Sequence, residues 1–274
     1  MTTSAGITGI GVAGIGLWGP GLEGWAASRP VLAGDAPYEE RQSPAPPPAI
    51  LGAAERRRAG PVVRLALAVA QEAAAASGVP PADLRAVFAS GNGDGVIVGS
   101  ILGALAAIPE GAAGEAARIV SPTQFHNSVH NAAAGYWSIA TGGRSAASSL
   151  GFHDDTLAAG LLTALATVAT EDAPVLLCAY DHPLPPPLDR VRHTVAPFGV
   201  AFVLTPGARP RLDLRYVPQA AVVPETPRDP ALAPLAAGNA IARALPLLET
   251  LARGAAGTHR LPYLDGHLVL ETAP

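Results

Sequence analysis

The chain has 274 residues, 49% of them hydrophobic and 15% charged, with 18 basic against 22 acidic side chains and a formal net charge of −4. That composition excludes disorder of the whole chain and supplies enough apolar material for a sizeable core, in one large or two modest domains. The slight acidic balance, with an isoelectric point of about 6.0, lacks the cationic surplus of a dedicated nucleic-acid binder. Every basic residue is Arg, so neither a Schiff-base lysine nor a P-loop lysine is available. The single cysteine, Cys178, has no partner for an internal disulfide. The first basic residue is Arg29, and the N-terminal apolar stretch lacks the charged start of a secretion signal, so a cytoplasmic location is expected. The longest apolar stretches, residues 96–108 and 157–169, fall short of the roughly 18 residues of a membrane span and are expected to be core helices.

In chain order, residues 7–16 (ITGIGVAGIG) read as a strand closed by the turn Trp18-Gly19-Pro20-Gly21. Residues 43–48 (SPAPPP) and 183–187 (PLPPP) read as extended connectors. From Pro61 the run PVVRLALAVAQEAAAASG is almost entirely helix-forming, with Pro in its first turn and Gly78 at its end. A short strand over 85–90 (RAVFAS) leads through the glycine loop 91–95 (GNGDG) into the apolar helix 96–108. The spacing then predicts a buried helix over 127–141, a strand over 144–150, a helix over 156–170 and a fully apolar strand over 173–180. Strands follow over 200–204 and 211–216, then a helix over 235–253 and a closing pair over 259–263 and 267–271. Such alternation predicts an α/β protein with a largely parallel sheet covered on both faces. The alternation is complete over residues 1–205 and abbreviated over 206–274.

Several motifs have bland readings that outweigh the chemical ones. Gly9-x-Gly11-x-x-Gly14 and Gly14-x-Gly16-x-x-Gly19 match the dinucleotide fingerprint, but they lie within the strand and no helix follows at once, so close packing of small residues is the expected role. His126 and His130 stand four apart, as metal ligands on one helix face do, with Asn127 where a metalloprotease carries glutamate. With no third ligand beside them, buried hydrogen-bonded histidines and no metal are expected. His153-Asp154-Asp155 reads as a helix start with its acids at the positive end. Cys178 lies inside VLLCAY, which predicts an inert buried thiol. No serine sits in a G-x-S-x-G elbow. The run Glu55-Arg56-Arg57-Arg58 reads as solvated helix, with docking of an acidic partner as the functional alternative.

Residues 121–143, SPTQFHNSVHNAAAGYWSIATGG, resemble the segment of β-ketoacyl synthases that precedes their nucleophile strand. PVVRLALAVAQEA, VFASGNGDG, LAAGLLTALATV and VLLCAYD extend the similarity over residues 7–205. Within that superfamily, the FHNSVHNAAAGYWSIATG wording and the short C-terminal end most resemble the chain length factors of aryl polyene pathways. The resemblance implies a thiolase-like layered fold over 1–274, with a complete N-terminal half and a shortened C-terminal one. It places the nucleophile at the start of the helix containing LAAGLLTALATV, near Phe152, yet residues 142–162 contain no cysteine. Of the two histidines that a synthase takes from its second half, only His259 and His267 are candidates, without the family's surrounding motifs. The resemblance thus implies a non-catalytic subunit that pairs with an active ketosynthase and shapes the tunnel for a chain on an acyl carrier protein, with Phe152 walling the cavity. Phe125, His126, Asn127, His130, Tyr136 and Trp137 are expected at the interface or tunnel, with Arg56 to Arg58 as a carrier-protein contact. No cofactor is implied. The alternatives are a thiolase-like acyltransferase or hydrolase using His126 or His130 with Ser128 or Ser148, and a pseudo-synthase that only stabilises its partner.

Overall fold

A computed structural model describes residues 6–107 and 120–274. Among these, nine strands form one sheet in the order β4-β3-β5-β6-β1-β7-β9-β8, with β2 beside β1. The strands are β1 (Ile7–Gly19), β2 (Leu22–Glu23), β3 (Arg85–Ala89), β4 (Ala147–Leu150), β5 (Val175–Asp181), β6 (Phe198–Pro206), β7 (Arg211–Val217), β8 (Gly257–Tyr263) and β9 (Gly266–Ala273). The helices are α1 (Trp25–Ala33), α2 (Ala53–Arg58), α3 (Pro61–Ser77), α4 (Gly95–Ala106), α5 (Pro122–Asn127), α6 (Ala132–Thr141), α7 (Thr156–Glu171), α8 (Ala233–Gly238) and α9 (Leu245–Ala252).

Both faces of the sheet are covered, and β5 shows why its sequence is apolar up to its last residue, Asp181. Val175, Leu177 and Ala179 face the layer of α7 and α9, whereas Leu176, Cys178 and Tyr180 face α3 and α6. Period-two alternation with two buried faces leaves no polar position before Asp181. The glycines of β1 serve packing, as expected. A Cβ on Gly14 would stand 2.1 Å from the Ala73 carbonyl oxygen of α3, and one on Gly16 would stand 2.0 Å from that of Val69. Helix α3 begins at Pro61 and ends on the left-handed Gly78, φ 71°, as its composition predicts.

The sheet is mixed, which corrects the expectation of a largely parallel one. Only β3/β4 and β3/β5 are parallel; β5/β6, β1/β6, β1/β7, β7/β9 and β8/β9 are antiparallel. Parallel pairing needs a crossover, which α4 to α6 and then α7 supply. Between β5 and β6 runs a proline-rich connector without an α-helix, and the chain returns antiparallel.

Three helical expectations are also revised. The helix expected over 127–141 is two: α5 ends at Asn127 and α6 begins at Ala132, with Ser128 Oγ donating to the Phe125 carbonyl at 2.8 Å in the break. The helix expected over 235–253 is broken at Asn239, whose Oδ1 accepts from Ile241 N at 2.8 Å while its Nδ2 donates to Ala196 O at 2.9 Å. That side chain takes over backbone partners and starts the helical path anew. Helix α4 occupies the stretch expected over 96–108, of which Ile108 lies outside the described residues, but it is not a core helix. Val96, Leu102 and Leu105 are 39%, 49% and 44% exposed. Helix α1, which carries Pro30 in its interior, was not evident in the sequence.

Candidate functional site

The turn between β4 and α7 holds the position implied for a nucleophile. Phe152 leads into the 3₁₀ turn His153–Asp155, and its N–H donates to Thr156 Oγ1 at 2.9 Å while Thr156 Oγ1 donates to His153 O at 2.6 Å. His153 has φ 49°, a left-handed conformation uncommon for a residue with a side chain. What holds the turn is a pair of arginines from distant segments. Arg192 Nη2 donates to His153 O at 3.1 Å, and Arg243 Nη1 donates to Asp154 O at 2.9 Å. Their guanidinium groups also pair with the Asp154 carboxylate, each at 3.2 Å. Burial alone would raise the Asp154 carboxyl; the two guanidinium groups outweigh it and hold the group below its ordinary value.

Behind the turn lies Asp181, the last residue of β5, fully buried. Its carboxylate accepts from Ser90 Oγ and from Asn92 N, each at 2.9 Å, and pairs with Arg192 at 3.1 Å. Burial pushes this carboxyl up, opposed by Arg192 and these donors. Asn92 Nδ2 further donates to His182 O at 2.8 Å and Thr194 Oγ1 at 3.0 Å. Arg192 can approach because Gly91 lacks a side chain: a Cβ there would stand 2.2 Å from Nη1.

The Phe152 ring is partly exposed, at 42%, and lies against Tyr263 with ring centroids 5.6 Å apart. Tyr263 meets Tyr216 edge-on at 5.9 Å. A shallow cavity of about 430 Å³ opens beside residues 152–155. No thiol is present in this turn. Cys178 is fully buried on β5, its Sγ 3.3 Å from the Ala66 carbonyl, and burial pushes its thiol well above the usual range. Its burial is as expected, and burial of this kind disfavours the thiolate.

The segment over 121–143 divides into an exposed and a buried set. Phe125, at 67%, His126 and His130 are exposed. Asn127, Tyr136 and Trp137 are buried. Asn127 Nδ2 donates to Arg58 O at 3.0 Å and its Oδ1 accepts from Tyr136 OH at 3.0 Å, while the His126 ring packs edge-on against Tyr136 at 6.2 Å. Trp137 belongs to the core beside Phe88 and Tyr180. His130 Nε2 donates to Ser90 O at 2.9 Å. The two histidines are therefore not buried, contrary to expectation, and they do not share one helix face, because α5 ends between them. Among the described residues no hydrogen bond joins either ring to Ser128 or Ser148. His259 and His267 are buried, and their Nδ1 atoms meet Glu225 at 3.1 Å and Ala220 O at 2.5 Å, both in the loop after β7.

The arginine network was not legible as a site. Ser90 and Asn92 belong to the strand and glycine loop that were singled out, but Arg192 stands in a connector without a motif, and its partners Asp154 and Asn92 are 38 and 100 residues away.

The family model described as β-ketoacyl synthase, N-terminal domain, matches residues 32–256. A solved structure of a ketosynthase in complex with its chain length factor from Xenorhabdus doucetiae superposes with a TM-score of 0.69 at 21% identity, covering 97% of this chain and 99% of that one. The ishigamide ketosynthase/chain length factor gives 0.68 at 13%, covering 96% and 98%. A type II polyketide synthase acyl-carrier protein in complex with its ketosynthase gives 0.64 at 11%, covering 99% of each chain. No curated protein matches the sequence. The mixed, layered α/β architecture is thus that of ketosynthases, a thiolase-like fold.

Proposed function

The chain belongs to the β-ketoacyl synthase N-terminal domain family, and we propose that within it this protein is a non-catalytic subunit, a chain length factor, that pairs with an active ketosynthase. The observation that carries the reading is the thiol-free turn at Phe152. Claisen condensation by this family runs through an acyl thioester on a thiolate beside an oxyanion hole. A phenyl ring supplies no nucleophile, and the one cysteine is sealed in the sheet. The partner then forms the carbon–carbon bond, and this chain contributes surface: it walls the tunnel in which a polyene or polyketide chain, delivered on an acyl carrier protein, extends.

Two surfaces support the pairing. Helix α4 (GVIVGSILGALA) carries no charge yet exposes much of its length, and a helix apolar on all sides ordinarily requires cover. The two sheet edges also differ. At β8 the edge is blunted, because Glu225 Oε1 accepts from Arg260 N at 2.7 Å and Pro262 has no N–H. At β4 (ASSL) the edge is uncharged, with Ala147 and Ser148 exposed and Ser149 and Leu150 partly buried, as suits a strand that a partner extends. Phe125 and His126 stand ready for the same partner. Arg57 and Arg58, exposed on α2, suit the acidic surface of a carrier protein.

The test is acyl loading. The co-purified pair is incubated with an acyl-carrier thioester, and each chain is weighed by intact-protein mass spectrometry. An acyl adduct on the ketosynthase alone is expected. A covalent adduct on this chain overturns the non-catalytic reading.

A further inference from the structure

A gap in the sheet coincides with a cavity that lies apart from the Phe152 turn. On one side β1 pairs with β6 from Ile10 to Trp18. On the other, its pairing with β7 ends at Gly11↔Arg211, and its pairing with β2 begins only at Trp18↔Glu23. Val12 N still donates to Pro210 O at 2.9 Å, and just beyond it the register against β6 shifts between Val12 and Gly14. A bulge of this kind ends pairing and re-aims side chains. Here a cavity of about 450 Å³ opens, a size common among small-molecule sites. Val12 and Gly14 pair with Leu204 and Val203, which pair with Val175 and Leu176 at the start of β5. Asp181, behind the Phe152 turn, ends that strand.

The lining combines an apolar floor with cationic groups. Val12 and Ile15 of β1, Leu251 of α9 and Pro210 line the cavity beside the half-buried ring of Trp25. No aspartate or glutamate lines it, and its charged side chains are Arg29 and Arg209, in a chain of net charge −4. Arg209 Nη1 donates to Pro274 O. Arg29 donates through Nε, to Ala252 O at 3.2 Å, and among the described residues its two Nη atoms have neither a hydrogen-bond acceptor nor a carboxylate partner. Arg29 follows Trp25 by four residues on α1, so both side chains lie on one face. That helix is fixed at its start, because Trp25 N donates to Glu72 Oε1 at 2.6 Å.

We propose that this cavity binds a single-chain alkyl carboxylate, its tail against the β1 floor and its head on the Nη atoms of Arg29. Burial of the tail supplies the affinity. A planar guanidinium with free N–H groups suits a carboxylate, which can accept two parallel hydrogen bonds. An uncharged amphiphile leaves Arg29 unpaired, and a cationic one is repelled by both arginines. An acyl thioester carries no carboxylate at its reacting end, so the ligand is the free acid rather than the carrier-bound chain. The site is independent of the chain length factor reading.

The experiment titrates the full chain with sodium decanoate by calorimetry, beside decyltrimethylammonium as the cation of equal tail. Trp25 fluorescence, taken as the difference between the parent and Trp25→Phe, reports where the acid sits. The variants are Arg29→Gln, Ala76→Phe and Phe152→Ala. Ala76 is exposed in the last turn of α3 and lines the cavity, so a phenyl ring there blocks the site without entering the core. Saturable one-to-one binding of decanoate is expected, with a change in Trp25 emission. Arg29→Gln should weaken it about tenfold or more, Ala76→Phe should abolish it, and Phe152→Ala should leave it unchanged. Parent-like binding by both Arg29→Gln and Ala76→Phe overturns the proposal, as does a loss confined to Phe152→Ala, which would put the acid at the other end of β5. Absence of saturable binding by the parent, or equal affinity for the cation, also overturns it. Arg29 is exposed, so its variant gives a reading even if Ala76→Phe does not fold.

Discussion

The Arg192 guanidinium lies 3.1 Å from the Asp181 carboxylate, with 9% and 0% of the two side chains exposed. Removing one member of such a pair strands the other charge in a medium that cannot solvate it. Arg192→Ala is therefore expected to lower folding stability by about 3–5 kcal/mol, and Asp181→Asn, which keeps an acceptor for Ser90 and Asn92, by less. Urea denaturation of the isolated variants measures both. Equal and small losses would show that the pair carries no more than a surface contact.

Asp154 gives the acid limb of stability a defined sign. Its folded carboxyl is held below the unfolded value of about 3.9 by Arg243 and Arg192 against the opposing effect of burial. The charged form thus stabilises the fold fully above that value, and the contribution disappears as pH falls through the lower folded value. With nearly half the side chain exposed, the effect is modest, about 1 kcal/mol. Urea midpoints of the parent and of Asp154→Asn should differ at neutral pH and converge below about pH 4. A constant difference across that range would contradict this account.

Gly16 faces α3 with no room for a methyl group. Because the obstructing atom is the Val69 backbone carbonyl, at 2.0 Å from the added Cβ, helix and strand must separate to admit alanine. Gly16→Ala is expected to cost about 3 kcal/mol, whereas Gly34→Ala, where nothing lies within 4 Å, bears only the cost of its positive φ. Denaturation midpoints rank the two.

These residues also show what was readable in advance. The α3 boundaries, the inward role of the β1 glycines and the buried state of Cys178 are local consequences of composition and period, and each is present as expected. Direction in the sheet was not: helix-rich and helix-poor connectors look alike in an alternation count, and the proline-rich passage before β6 turns the chain back. The thiol-free turn was legible because one absent residue type decides it. Arg192, Arg243 and Tyr263 were not, because their partners are brought near only by the fold. The break at Asn239 likewise depends on Ala196, 43 residues away, which no helical period reveals.

Helix α4 supplies a prediction on assembly. Leu102 and Leu105 are about half exposed, so Leu102→Glu/Leu105→Glu should leave the melting of the isolated chain within about 0.5 kcal/mol of the parent. Association with the ketosynthase should weaken by at least about 2 kcal/mol, as for the loss of a buried anchor. Titration calorimetry of the two purified chains measures it, and undiminished affinity would remove α4 from the interface.

The central claim, that this chain works only as a partner, is tested most directly by co-expressing it with a candidate ketosynthase, determining the mass of the purified species in solution, and assaying malonyl-dependent condensation by each chain and by the pair. The account predicts a one-to-one complex, active only with both chains and silenced by mutating the partner's nucleophilic cysteine alone. Condensation by this chain in isolation would contradict it.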